Sequence, residues 1–94
     1  SNSITSVTVE VSPGSPSEKA EIWKNLGTAK NVGIEVTMQG QPIEPKGNIG
    51  EGIEAELTNA GAKTQAQGRT TKVSADEAKS GTVNTKINFV ANFK

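Results

Sequence analysis

The chain carries ten acidic and ten basic residues but neither histidine nor cysteine. That removes several chemistries before any position is considered. No disulfide, thiolate nucleophile or zinc site can be built from it. No serine can be activated by an imidazole, so triad chemistry is excluded within the chain. The close acid pairs are Asp76-Glu77 and Glu54/Glu56. Two carboxylates can share acid and base roles when they converge on one substrate. Sequence neighbours do not converge by spacing alone, and Glu54 and Glu56 fall on the outward face of a strand, so solvated charge is the simpler reading. Gly47-Asn48-Ile49-Gly50-Glu51-Gly52 looks superficially like a phosphate loop but lacks the lysine and the helix that would make it one. Trp23 could stack on a sugar, although a lone tryptophan in a chain this poor in aromatics is more often core. The chain therefore reads as non-catalytic, with no cofactor. A formal charge of zero gives no case for nucleic acid or an anionic membrane surface.

What remains is the ending, SGTVNTKINFVANFK, residues 80–94. Val83, Thr85, Ile87, Phe89, Ala91 and Phe93 alternate with Asn84, Lys86, Asn88, Val90, Asn92 and Lys94. One face is apolar and the other nearly all polar, the pattern of a half-buried strand. Both phenylalanines of the chain lie in its last six residues. A terminal strand often forms a sheet edge, and an apolar edge left unpaired invites aggregation. Either another element of the chain covers it or a partner does.

Other elements must position that strand. Residues 4–11 alternate, with Val7, Val9 and Val11 on one side, and Pro13-Gly14-Ser15-Pro16 breaks the run. Residues 17–26 are ambiguous. Ser15, Pro16 and Glu18 suit a helix start, with Ile22, Trp23 and Leu26 on one face and Gly27 as a stop. The surrounding strands argue instead for an extended piece. Val32, Ile34, Val36 and Met38 mark a strand, residues 39–42 a turn, and Ile43 a short return. Ile53, Ala55 and Leu57 predict a strand over 53–57. Residues 59–72 hold no large apolar side chain and read as a long solvated hairpin or loop. Ser74-Ala75-Asp76-Glu77 could cap one helical turn. A last strand is predicted over 82–93. About five strands at short spacing, joined by turn-rich loops, point to an all-β sandwich.

Size and composition set the limits of that fold. Ninety-four residues make one domain at most. Only 32% are apolar, against roughly 45–50% in an ordinary domain with glycine counted, so the core must be slight. No apolar run approaches the ~20 residues of a membrane span, and no stretch reads as a secretory signal. The Ser1-Asn2 start could be the remnant of a removed tag, in which case the chain is a piece of something longer.

The ending resembles the C-terminal motif of chaperone–usher pilus subunits, the fimbrial pilins of Gram-negative bacteria. Such subunits close with a glycine, an alternating strand and a penultimate aromatic residue. Gly81, the face that begins at Val83, and Phe93 before Lys94 match in order and spacing. The usual penultimate tyrosine is phenylalanine here. Asn31-Val32-Gly33-Ile34-Glu35-Val36 is similar to the family's NVGIQI-like strand, and residues 25–30 fit the loop before it. The resemblance spans about residues 25–94. The chain lacks the family's cysteine pair, its first strands and its N-terminal donor extension, so residues 1–94 correspond to a single, incomplete pilin-like domain.

The resemblance implies an immunoglobulin-like sandwich missing its last strand, completed by a donated one. It implies a hydrophobic groove whose wall is Gly81, Val83, Ile87, Phe89, Ala91 and Phe93. It further implies that basic side chains of a chaperone hold the Lys94 carboxylate. The expected partners are a periplasmic chaperone, an outer-membrane usher and neighbouring pilus subunits. The expected location is an extracellular pilus (fimbrium), reached through the periplasm, and the expected role is structural, in polymerisation and adhesion. The alternatives are a carbohydrate-binding sandwich of a tip adhesin with Trp23 as its platform, and a sandwich module of another extracellular structural protein.

Overall fold

The computed structural model describes residues 3–94; Ser1 and Asn2, the start that could be a tag remnant, lie outside the described residues. The described residues contain no helix, and so none long and apolar enough to cross a membrane. They form nine strands: β1 (Val7–Val11), β2 (Trp23–Lys24), β3 (Val32–Met38), β4 (Gln41–Ile43), β5 (Ile53–Glu54), β6 (Glu56–Thr58), β7 (Gly61–Lys63), β8 (Ala66–Lys72) and β9 (Phe89–Phe93). Every pairing between them is antiparallel. One sheet has the order β5-β1-β9. In the other, β3 is flanked by β8 along one edge and by the short β2 and β4 along the other. The β6-β7 hairpin pairs only with itself.

Register explains which side chains meet. Opposed residues of an antiparallel pair share a face. Val9 lies opposite Ile53 on one side and Ala91 on the other; Val36 lies opposite Ile43 and Gly68. Val7, Val9, Val11 and Ile53 of the first sheet join Ile34, Val36, Met38 and Ile43 of the second in one buried cluster. This is a β-sandwich core of small aliphatic residues around a single large one. Trp23 is 1% exposed, and its indole Nε1 donates to the Ile43 carbonyl at 2.7 Å. The bond satisfies the polar end of an otherwise apolar ring.

The ambiguous segment 17–26 is neither a helix nor one extended piece: residues 18–22 turn, and only Trp23–Lys24 is a strand. Pro16 bridges to Trp23, the Ser17 amide donates to the Ile22 carbonyl at 2.8 Å, and the Lys24 amide donates to the Ser15 carbonyl at 3.0 Å. Residues 15–17 and 22–24 thus make a small hairpin. The local helix signals lose because Trp23 pairs opposite Ile34 and fills the core, a tertiary gain larger than any propensity. Ser74 likewise starts no helical turn: its hydroxyl accepts from the Asp76 amide in a tight local turn.

The strand predicted over 53–57 is split. The Ala55 amide donates to the Val7 carbonyl, and beyond it the chain leaves the sandwich for the β6-β7 hairpin, where Leu57 is exposed. The stretch 59–72 is more ordered than its composition suggests, for it contains β7 and the seven-residue β8. Its register against β3 puts Ala66, Gly68, Thr70 and Lys72 on the core side, so no apolar alternation marks the strand. The turn at 39–42 shortens to Gln39-Gly40, with φ of 51° and 76°. Positive φ at both central residues is the hairpin geometry that matches strand twist.

Replacing Trp23 tests whether one ring holds the sandwich together. Trp23→Ala removes the largest buried side chain and leaves the Ile43 carbonyl without its donor. The expected loss is about 3–5 kcal/mol, a large part of the roughly 5–14 kcal/mol a chain this long can hold. Denaturant melting followed by circular dichroism should show the variant mostly unfolded in buffer; a midpoint near that of the parent would contradict this account of the core.

Candidate functional site

The last strand has a buried orientation and an exposed surface. Pairing with β1 sets Phe93 opposite Val7, Ala91 opposite Val9 and Phe89 opposite Val11. Phe89, Ala91 and Phe93 therefore lie on the same face as three valines that are at most 8% exposed. Yet Phe89 is 44% exposed and Phe93 54%. The valines are covered by the second sheet; β9 lies beyond its reach. The result is an open cleft of about 350 Å³, lined by Val9 and Met38 with Thr64 and Ala66 on one side and Phe89 and Ala91 on the other. Its lining is mainly apolar, with Thr64 as the polar side chain.

The main chain beside this cleft is unpaired as well. Ser6 and Lys94 exchange hydrogen bonds in both directions, at 3.0 and 2.8 Å, and the Ser12 amide donates to the Asn88 carbonyl at 2.9 Å. Bonded pairs alternate along an antiparallel ladder. Even-numbered residues of β9 therefore turn their amide and carbonyl groups toward β1. Phe89, Ala91 and Phe93 turn theirs the other way, where no strand lies among the described residues. An edge of this kind is a template for a further strand.

Upstream of β9, residues 82–88 form no ladder but are fastened along one side too. The Thr82 carbonyl accepts from the Ala29 amide at 3.0 Å, and the Asn84 carbonyl from the Leu26 amide at 2.8 Å. Again the even-numbered residues are held. No in-chain partner meets the main-chain groups of Val83, Thr85 or Ile87 among the described residues. Lys86 falls between the two fastenings. The open edge thus continues from Phe93 back to Val83.

The predicted site residues divide accordingly. Phe89 and Ala91 line the cleft, and Phe93 extends their face toward the end of the strand. Ile87 is half-buried and packs against the core; Val83 is 38% exposed. Gly81 lies elsewhere, against residues 28–29, where an added Cβ would stand 2.5 Å from the Ala29 nitrogen. Its lack of a side chain serves that close approach. The Lys94 main-chain oxygen, expected to meet a partner's basic groups, accepts from the Thr5 amide at 2.6 Å and the Ser6 amide at 3.0 Å within this chain.

Val9, Met38, Thr64 and Ala66 complete the cleft, and nothing in the sequence marks them as part of it. From sequence, the strands that carry Val9 and Met38 read as ordinary core, and residues 64–66 read as loop. The other candidate residues have different settings. Trp23 is buried and cannot stack on a sugar in this arrangement. Among the described residues no three carboxylates gather where they could hold a metal ion.

The free edges of the two sheets also differ in charge. On β8, Arg69 pairs with Glu35 across the strand at 3.1 Å, and Lys72 follows, so that edge carries the charges that discourage pairing. Between Phe89 and Phe93 there is no charge at all. No protein-family model matches the chain, and no curated protein or solved structure matches it either.

Proposed function

We propose that the chain is a structural subunit of a bacterial surface pilus: an incomplete immunoglobulin-like sandwich that polymerises by accepting a strand from its neighbour. One observation carries this reading. The core-facing side of β9 is apolar and uncovered, beside a main-chain edge with no partner. The resemblance of residues 31–36 and of the ending to fimbrial pilins supports the same conclusion. A periplasmic chaperone would fill the cleft first, the usher would guide exchange, and the next subunit's extension would then replace the chaperone strand. Adhesion follows from the assembled fibre.

The physical chemistry is that of strand addition. Main-chain bonds supply pairing, and alternate side chains supply specificity. Each large side chain that moves from water into the cleft contributes roughly 1.5–3 kcal/mol. The subunit gains a covered core, and the donor loses an exposed apolar strand.

Two measurements test the reading. Phe89→Asp should abolish chaperone co-purification and pilus assembly, because strand insertion would bury an unpaired carboxylate. Asn88→Asp, on the opposite face of the same segment, should change either readout by no more than about half a kcal/mol. Equal losses would remove β9 from the site. Separately, the isolated chain should melt early in denaturant. A bound donor-strand peptide at about a hundred times its Kd should add about 2.7 kcal/mol. A cooperative transition that the peptide leaves unmoved would show that nothing is missing from the sandwich.

A further inference from the structure

One side chain fastens the upstream half of the open edge. Asn25 makes four hydrogen bonds: its Nδ2 donates to the Ala29 and Thr82 carbonyls, each at 3.1 Å, and its Oδ1 accepts from the Gly27 and Asn84 amides, each at 2.9 Å. Every hydrogen-bonding position of the amide is therefore used. Beside it, Thr28 and Thr82 bond reciprocally. The Thr28 amide donates to the Thr82 hydroxyl and the Thr82 amide to the Thr28 hydroxyl, both at 2.9 Å. The two threonines are 54 residues apart in the chain. Apolar packing in this half comes from Ile87, which is half-buried against the core; Leu26 is 55% exposed and Val83 38%.

The clasp grips residues of one parity only, Thr82 and Asn84. These share their parity with the β9 residues that bond to β1. The clasp thus keeps residues 82–84 in phase with β9 across Lys86, where neither fastening acts. We infer that Asn25 is a positioning residue for strand binding: it aligns the main-chain groups of Val83, Thr85 and Ile87 with those of Phe89, Ala91 and Phe93, so that one long strand can pair along both halves of the edge. This rests on the strand-accepting reading proposed above and adds a length requirement. The occupant is a single extended segment from another polypeptide, long enough to pass Ile87. At about 3.3 Å per residue, a segment that covers β9 alone forgoes the upstream pairing.

The test uses the whole 94-residue chain and synthetic lysine-capped peptides of alternating threonine and valine, about seven and about thirteen residues long, matched to the two lengths of edge. Binding is followed by calorimetry. The parent chain should bind the long peptide about tenfold or more tighter than the short one, given about 1 kcal/mol net for each added hydrogen bond less the ordering cost. Asn25→Ala should erase that gain while leaving short-peptide affinity within about threefold. Thr28→Ser, which keeps the hydroxyl, should behave as the parent. Thr85→Pro removes an amide that has no partner among the described residues and so tests the upstream edge without disturbing the clasp; it should also erase the gain. Equal affinity of the parent for both lengths would overturn the inference alone. Loss of short and long binding together in Asn25→Ala would reduce Asn25 to a structural role and overturn it too. Failure of the parent to bind either peptide would overturn the strand-accepting reading itself, and the inference with it.

Discussion

Residues 82–94, of which only Phe89–Phe93 forms a strand, are fastened along one edge only. The β1 strand and the 25–29 loop take up main-chain groups of even-numbered residues, at 82, 84, 88 and 94 among others. In β9 the odd-numbered residues direct their main-chain groups outward and their side chains toward the core. The two deficits therefore coincide on the same residues. Unpaired amides and carbonyls, and uncovered phenylalanine rings, belong to Phe89 and Phe93 alike. A single added strand would answer both at once. A helix or loop laid over the cleft could cover the rings but would leave the edge open.

The remainder of the fold is economical around this deficit. Its only aromatic core residue is Trp23, and the rest of the buried cluster is aliphatic. The protein measures 57 × 23 × 19 Å, with a radius of gyration of 15.5 Å, against about 12 Å for a compact chain of this length. So elongated a body has little interior. Placing both phenylalanines outside the cluster gives up much of the apolar area a small domain would use for its own stability. On the function proposed above, that area serves to hold an incoming strand.

Much of the fold is legible in the sequence because burial writes a period of two. Residues 32–38 read as a strand and are one, since Ile34, Val36 and Met38 all reach the core. The strand expected over 82–93 forms only over Phe89–Phe93, because residues 82–88 are held by the 25–29 loop and not by a ladder with another strand. Where burial leaves no trace, the sequence is silent. The β8 strand presents alanine, glycine, threonine and lysine to its inner side, so only its partner β3 reveals it. The cleft is legible from one wall only, because Val9 and Met38 look like any core residues. Asn25 shows nothing locally of its role; two of its four bonds reach residues 57 and 59 positions away. Composition marks a side chain that bonds to nearby backbone far better than one that bonds across the fold.

The shared parity of the two fastenings has a genetic consequence. Between Asn84, held by the 25–29 loop, and Asn88, held by Ser12, lie three residues with no main-chain bond among the described residues. Insertion or deletion of one codon there would leave both fastenings intact and the composition almost unchanged. With both fastenings kept, the extra or missing residue would have to be taken up as a bulge between them, so the edge would no longer run as one strand with a period of two. Changes of two codons would keep that period. Length variation in this short stretch is therefore quantised in pairs, a constraint that neither charge nor hydropathy of the inserted residues could relieve.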